Sequence, residues 1–138
     1  MIECRTMASA ERFDAFTLMR RFRGDEGTLG EALTLFVDRP DYGFIWLAYD
    51  DDHAAACVSV SFGIDTEAGG LVATLRDFYV LEERRRRGIG SALLLTLHAR
   101  LAPLEVKRVD ALGMDPTMLA FMKARGYEVA GALFTRRR

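Results

Sequence analysis

Apolar positions follow two different spacings along the chain, and the changes between them separate strands from helices. Alternating apolar residues predict strands at 1–7 and 54–64, and a run rich in strand-forming residues predicts one at 44–49. Segments between turn and helix signals predict three more strands, at 71–80, 105–114 and 127–135. Helical spacing predicts four helices that begin near Ser9, Thr28, Gly90 and Asp115, and they end near Gly24, Pro40, Pro103 and Gly126. This order of elements predicts an α/β sandwich.

Composition narrows the class of protein. The 138 residues suit one domain, 1–138, which buries about two-thirds of its unfolded surface. The net charge of −1 gives no general attraction to nucleic acid or membrane. No 18 apolar residues run together, and the first residues lack a signal-peptide pattern. Cys4 and Cys57 lie in apolar segments, which is typical of buried thiols in a reducing compartment, so we expect a cytoplasmic location.

The segment RRRRGIGSALL, residues 84–94, joins a predicted strand to an apolar helix. Gly88 and Gly90 remove side chains from a turn where backbone N–H groups converge, and the following helix adds free N-terminal donors. The four arginines add charge and planar forks that suit phosphate oxygens. A P-loop motif is absent, and Leu93 stands where a dinucleotide fingerprint needs a third small residue. The predicted ligand is a polyanion with a long tail.

The same turn carries a family signature. Arg85, Gly88 and Gly90 match the Arg/Gln-x-x-Gly-x-Gly/Ala pattern of the GNAT acyl-CoA N-acyltransferases. LRDFYV, at 75–80, resembles the fourth strand of that family, and DPTMLAFMKARGY, at 115–127, resembles a later helix, so the match covers roughly residues 71–129. The resemblance implies an α/β fold with a mixed, mainly antiparallel twisted sheet of six to seven strands and about four helices on its two faces. It also implies acetyl-CoA as the acyl donor, with no metal, and pairing into a homodimer through terminal strands.

The resemblance further implies that the coenzyme is held largely by main chain. Its pantetheine arm would pair with backbone groups of Phe78, Tyr79 and Val80, with the N–H near Val80 facing the thioester oxygen. Its pyrophosphate would lie on the N–H groups of Arg86, Arg87, Gly88, Ile89, Gly90 and Ser91. Arg85 and two residues of the later helix complete the expected coenzyme side: Phe121 by packing, and Asp115, which stands at the family's Asn position and also caps its helix.

Two positions depart from the family pattern. Met122 stands where a Tyr is the usual general acid, and a thioether has no proton to donate. Solvent or another group then protonates the thiolate, or the reaction is slow or absent. LRDFYV is nearest in pattern to diamine acetyltransferases, but Arg76 replaces their Glu, and a cation there favours a carboxylate-bearing or neutral acceptor. Asp77 is the candidate base, although neighbouring strand residues face opposite sides, so we expect only one of Arg76 and Asp77 to face a given cleft.

The predicted function is acetyl-CoA-dependent N-acetylation of a primary amine in a small molecule or peptide. The alternative is a weak or inactive acyl-CoA-binding sensor or interaction module. A metal site at the acidic turn that contains Asp50 and His53 is disfavoured because consecutive turn residues point in different directions, and no histidine constellation is expected. Nucleic-acid binding through the arginine run is also disfavoured, because no aromatic-studded RNA motif accompanies it.

Overall fold

Five strands form one sheet within residues 1–24 and 27–137, which the computed structural model describes. The strands lie in sequence order as β1 (Ile2–Thr6), β2 (Gly43–Asp50), β3 (His53–Asp65), β4 (Gly70–Val80) and β5 (Arg108–Ala111). The first four are antiparallel to their neighbours, whereas β5 runs parallel to β4. The expected mixed sheet is therefore confirmed, but it has five strands and not six to seven.

Four helices accompany the sheet, as predicted: α1 (Arg12–Arg23), α2 (Leu29–Asp38), α3 (Ile89–Leu101) and α4 (Leu119–Lys123). Gly24 ends α1 with a positive φ of 78°, a conformation that other residues rarely adopt. A single 3₁₀ turn at Pro116–Met118 leads into α4. Asp115 caps that turn, because its carboxylate accepts a hydrogen bond of 2.9 Å from the Thr117 amide.

The sheet has an apolar core on each face. Ala73, Leu75 and Phe78 of β4 pack towards α3 and α4, while Cys57 and Tyr79 pack in the cluster with α1 and α2. Cys57 is fully buried, and this burial raises the pKa of its thiol. A protonated, enclosed thiol has the properties expected of a packing residue.

The C-terminal third differs most from the prediction. The strand expected at 105–114 shortens to β5 because Glu105 and Gly113 on its two sides adopt positive φ values of 56° and 66°. The strand expected at 127–135 is wrong: the described residues from 127 to 137 form neither helix nor strand. Alternation is a local signal, whereas a strand needs a partner, and β5 offers only four residues as an edge. Val129, Leu133 and Phe134 are consequently exposed.

Candidate active site

The paired-glycine turn presents unpaired backbone donors. Arg86 and Gly88 adopt left-handed φ values of 65° and 77°, and Gly88 is the N-terminal cap of α3. No side chain caps this helix, and the amides of residues 86–91 donate no hydrogen bond to any described residue. These amides therefore surround the positive end of the α3 dipole as an open site for an anion.

A second set of free backbone groups lies along the end of β4. Pairing with β5 ends at Leu75, where the amide of Leu112 donates to the Leu75 carbonyl at 2.9 Å. Leu81 donates to Ala55 of β3 at 2.9 Å. Since alternate residues of a strand direct their N–H and C=O groups to opposite edges, Phe78 and Val80 direct theirs to the open edge, where the Val80 carbonyl accepts from Arg85 Nε and the Val80 N–H pairs with no described residue. By the same alternation Tyr79, which lies opposite Cys57, directs its backbone groups to β3.

Gly90 keeps the junction of these two donor sets clear. A Cβ built on Gly90 would lie 3.4 Å from Val80 Cγ2 and 3.7 Å from both Phe78 and Phe121. The two phenylalanine rings are 5.7 Å apart and line the same gap between β4 and α4. Acetyl-CoA fits this arrangement, because its pyrophosphate matches the free amides and its pantetheine amides match the open strand edge.

The four arginines at positions 84–87 make different contacts. Arg84 and Arg87 both reach Asp50 at the end of β2, at 3.0 and 3.5 Å. Arg85 donates from Nε to the Val80 carbonyl at 3.0 Å, which ties the loop to β4. Of the four, only the Arg86 side chain forms no hydrogen bond, ion pair or cation–π contact with the described residues. The four guanidinium groups are thus not equally available to a phosphate.

Arg125 is a residue of this site that sequence reasoning missed. Its guanidinium lies 3.6 Å from the centre of the Phe121 ring and donates to the Phe121 carbonyl at 2.9 Å. It also donates to the Ser91 hydroxyl in the first turn of α3. The i, i+4 spacing of Phe121 and Arg125 was a usable signal for the stacking, but nothing local in the sequence indicates the contact with Ser91.

A β-bulge places Arg76 and Asp77 on the same face of the sheet. Arg76 lies opposite Ser59 and Tyr79 opposite Cys57, so the two residues between them on β4 face a single residue of β3. Asp77 is the extra residue and adopts a left-handed φ of 57°. Arg76 shares the face of Ser59, and the Asp77 carboxylate accepts a hydrogen bond from the same Ser59 hydroxyl at 3.0 Å. The expectation that only one of Arg76 and Asp77 faces a given cleft is therefore wrong.

The Asp77 carboxylate is enclosed but incompletely bonded. Its side chain is 11% exposed, and Oδ1 lies 3.1 Å from Nη2 of Arg23 at the end of α1. The angle of that approach does not make a hydrogen bond, so Oδ1 is buried with no hydrogen-bond partner among the described residues. Arg23 and Ser59 belong to this cluster through tertiary contacts alone, and the sequence analysis did not identify them.

Residues 11–127 match the model of the acetyltransferase (GNAT) family. The chain belongs to this family. Its fold is shared with an integron cassette protein from a salt-marsh metagenome, at 23% identity over 98% of this chain and 89% of the other, with a TM-score of 0.83. An aminoglycoside N-acetyltransferase in complex with CoA gives 16% identity, 100% and 95% coverage and a TM-score of 0.81. Glucosamine-6-phosphate N-acetyltransferase from Arabidopsis thaliana is 13% identical over 99% of this chain and 98% of the other, with a TM-score of 0.82.

A search of curated protein sequences found no match to this chain. Identities this low show the fold and leave the acceptor open. None of these comparisons supports the closer likeness to diamine acetyltransferases that the LRDFYV strand indicated.

In this GNAT chain α4 directs Phe121 towards Phe78 and Gly90, and it directs Met122 into the core. Met122 is 5% exposed and packs in the same cluster as α3, whereas Phe121 is half-buried beside Phe78. Hydrogen bonding by Thr117 holds the pKa of Asp115 below its usual value, and the charge of Arg85 contributes to the same shift. The carboxylate of Asp115 is thus engaged by its own turn, with Arg85 near.

His98 of α3 forms one hydrogen bond with a tyrosine of the C-terminal segment. His98 Nε2 lies 2.7 Å from the Tyr127 hydroxyl, and burial raises the pKa of Tyr127 to about 12. His98 is about 10 Å along α3 from Ser91, so the pair lies away from the free amides. It joins the C-terminal segment to α3.

Residues of the acidic turn between β2 and β3 are engaged by Met1 and by each other. Asp51 pairs with the Met1 ammonium at 2.6 Å, and the His53 ring lies 3.0 Å from the Asp51 carbonyl. Across the described ranges no three potential metal ligands come together, and no helix is both long and apolar enough to span a bilayer.

Two clefts, of about 310 and 320 Å³, lie elsewhere on the surface. The first is between α1 and the start of β3, and the second is beside Phe44 and Arg100. Neither includes the free amides or the open edge of β4. The candidate coenzyme groove is therefore defined by its backbone groups, the amides of residues 86–91 and the open edge of β4.

Proposed function

We propose that this GNAT protein is an N-acetyltransferase that transfers an acetyl group from acetyl-CoA to the primary amine of a small molecule or peptide. The observation that carries the proposal is the junction of two unpaired donor sets, the amides of residues 86–91 and the open edge of β4 at Phe78 and Val80. The two sets adjoin, since the Cβ position of Gly90 lies 3.4 Å from Val80, and this suits a ligand with a pyrophosphate followed by an amide-bearing arm.

Acetyl-CoA would supply a thioester, whose acetyl carbon accepts the amine while the C–S bond breaks. The Val80 N–H would donate to the thioester oxygen, where negative charge develops. Gly90 would let the arm pass between β4 and α4, with Phe121 and Phe78 covering it. Arg125 and Arg86 would add positive charge beside the pyrophosphate.

The amine must lose a proton before it can attack. An alkyl amine of pKa about 10.4 is neutral roughly once per few thousand molecules at pH 7, a deficit of about 4–5 kcal/mol. Asp77 is the proposed base that accepts this proton and passes it to solvent, because its Oδ1 has no hydrogen-bond partner among the described residues and lies at the bulge next to Phe78. The departing thiolate would take its proton from solvent, since Met122 has none to give.

An acyl-CoA-binding module without turnover is the second candidate. The observation that favours it is Met122, which is both without a titratable proton and enclosed in the core. In this case the groove binds acetyl-CoA, but the acetyl group stays on the coenzyme.

Calorimetry with acetyl-CoA, followed by a CoA-release assay with a panel of amines, tests both candidates. Micromolar binding together with amine-dependent release of CoA supports the enzyme. Binding without release for any amine supports the module. Absence of binding by the wild-type protein overturns both.

A further inference from the structure

The bulge on β4 gathers charges of both signs on one face. Asp77 lies 3.1 Å from Arg23 at the end of α1, and Arg76, from the preceding position of the strand, is on the same face of the sheet. Arg76 is exposed and forms no ion pair with the described residues. Arg21, which is also on α1, forms an ion pair with Glu83 at 2.6 Å and is therefore not available to this cluster.

Arg23 occupies the position at Asp77 that the ammonium or amine group of a substrate would take. The carboxylate is 11% exposed whereas the Arg23 side chain is 56% exposed, so the cation is the partner that can move. A buried carboxylate oxygen without a hydrogen bond is unfavourable, and an amine N–H placed at Oδ1 would supply that bond. An amine that replaces Arg23 at this oxygen would leave a second guanidinium unpaired beside the first.

Resting on the proposed function, we infer that the acceptor is an amine that also carries an anionic oxygen group, a carboxylate or a phosphate. Its nitrogen binds Asp77 at Oδ1, and its anionic group binds the guanidinium groups of Arg76 and the displaced Arg23. Both guanidinium forks match planar carboxylate or phosphate oxygens. A diamine would instead place its second ammonium against two cations, which is unfavourable.

Four acceptors in two matched pairs test this inference. β-Alanine is compared with β-alaninamide, and 2-aminoethyl phosphate with ethanolamine, at saturating acetyl-CoA with CoA release as the readout. We expect kcat/KM to be about tenfold higher for the anionic member of at least one pair, equivalent to about 1.4 kcal/mol. The pair with the larger ratio distinguishes a carboxylate from a phosphate. 1,3-Diaminopropane is expected to be the poorest acceptor.

Charge-removing variants locate the effect. Arg76→Gln and Arg23→Gln are each expected to reduce the ratio between anionic and neutral acceptors, mainly by raising KM for the anionic one. Lys107→Gln removes the same charge at the opposite end of β4 and serves as the control. Acetyl-CoA affinity, measured by calorimetry, is the check that the coenzyme groove is intact in every variant.

The outcomes separate this inference from the proposed function. Equal use of the neutral acceptors, preference for the diamine, or an unchanged ratio in both arginine variants overturns the inference while leaving the acetyltransferase. If acetyl-CoA binds but no amine releases CoA, the catalytic proposal fails. In that case the inference is tested by calorimetry on the CoA complex of the protein. β-Alanine is compared with β-alaninamide, and 2-aminoethyl phosphate with ethanolamine. If both anionic amines fail to bind, or bind no better than their neutral partners, the inference is overturned.

Discussion

The proposed coenzyme side and the proposed acceptor side of the groove are built from different parts of the chain. The coenzyme side consists of the free amides of residues 86–91 and the open edge of β4, which are backbone groups. The acceptor side consists of the side chains of Arg23, Ser59, Arg76 and Asp77, from three different elements. Backbone recognition tolerates many side chains, whereas the acceptor side depends on each one. The donor of a GNAT protein is therefore easier to infer than its acceptor.

The largest expected effect comes from Gly90→Val, which breaks the coenzyme side. A Cβ at Gly90 already meets Val80, Phe78 and Phe121 at 3.4–3.7 Å, so the two further methyl groups of Val fill the gap between β4 and α4, and a thermal melt checks that the fold is retained. We expect acetyl-CoA affinity to fall by about 100-fold or more in calorimetry, equivalent to about 2.7 kcal/mol. Gly63→Val, at a position where an added Cβ meets no atom of the described residues within 4 Å, is the matched control. Unchanged affinity in Gly90→Val would remove the groove from the coenzyme site.

Asp77→Asn should break the acceptor side and leave the coenzyme side intact. Asn tolerates the left-handed φ of 57°, so the bulge is expected to persist. Loss of the charge that receives the amine should lower kcat/KM by about 100-fold, as expected for a general base or amine anchor. Acetyl-CoA affinity should stay within about twofold. A parallel loss of coenzyme binding would show that the two sides are not separable.

Arg125→Leu should weaken the coenzyme side by a smaller amount. Leu retains apolar contact with Phe121 but loses the charge and the bond to Ser91. We expect acetyl-CoA affinity to fall about fivefold, equivalent to about 1 kcal/mol. S-acetylpantetheine, which lacks the pyrophosphate, should bind the variant and the wild type alike. An equal loss for both ligands would assign Arg125 a packing role only.

Tyr127→Phe should affect stability and neither side of the groove. Burial raises the folded-state pKa of Tyr127 from 10.0 to about 12, so its protonated form is favoured by folding. That contribution is fully present below pH 10 and is lost as the pH rises towards 12. Urea unfolding of the wild type should therefore show a loss of less than about 1 kcal/mol between pH 10 and pH 11.5 that the variant lacks. An identical alkaline loss in both proteins would assign it to other groups.

The turn, the helix that follows it and the first four strands could be predicted because their signals are local. Gly88 and Gly90 act through their own conformation, and the hydrophobic pattern of β2, β3 and β4 reports directly which residues are buried. Pairs of elements that are neighbours in sequence are also neighbours in this sheet, so order alone supplied most of the topology. The family signature lies within the same local segment.

The acceptor side could not be predicted because it depends on register and on distant contacts. One extra residue at Asp77 changes which side chains share a face, and neither Asp77 nor Val58 carries a glycine-type signal for a bulge. Arg23 reaches Asp77 across 54 positions of sequence, and Arg125 reaches Ser91 across 34. The missing strand after Tyr127 has a related cause, since alternation does not reveal whether an edge is available.

Asp50 has a consequence for selectivity among polyanions. By holding Arg84 and Arg87 at the tip of the β2–β3 hairpin, it offsets part of the positive charge that four successive arginines would otherwise present to solvent. A chain can in this way keep an arginine-rich phosphate loop without a broad affinity for RNA or other abundant anionic polymers in the cell. The same ion pairs join the β2–β3 hairpin to the loop before α3, so we expect a change in the position of one to alter the position of the other.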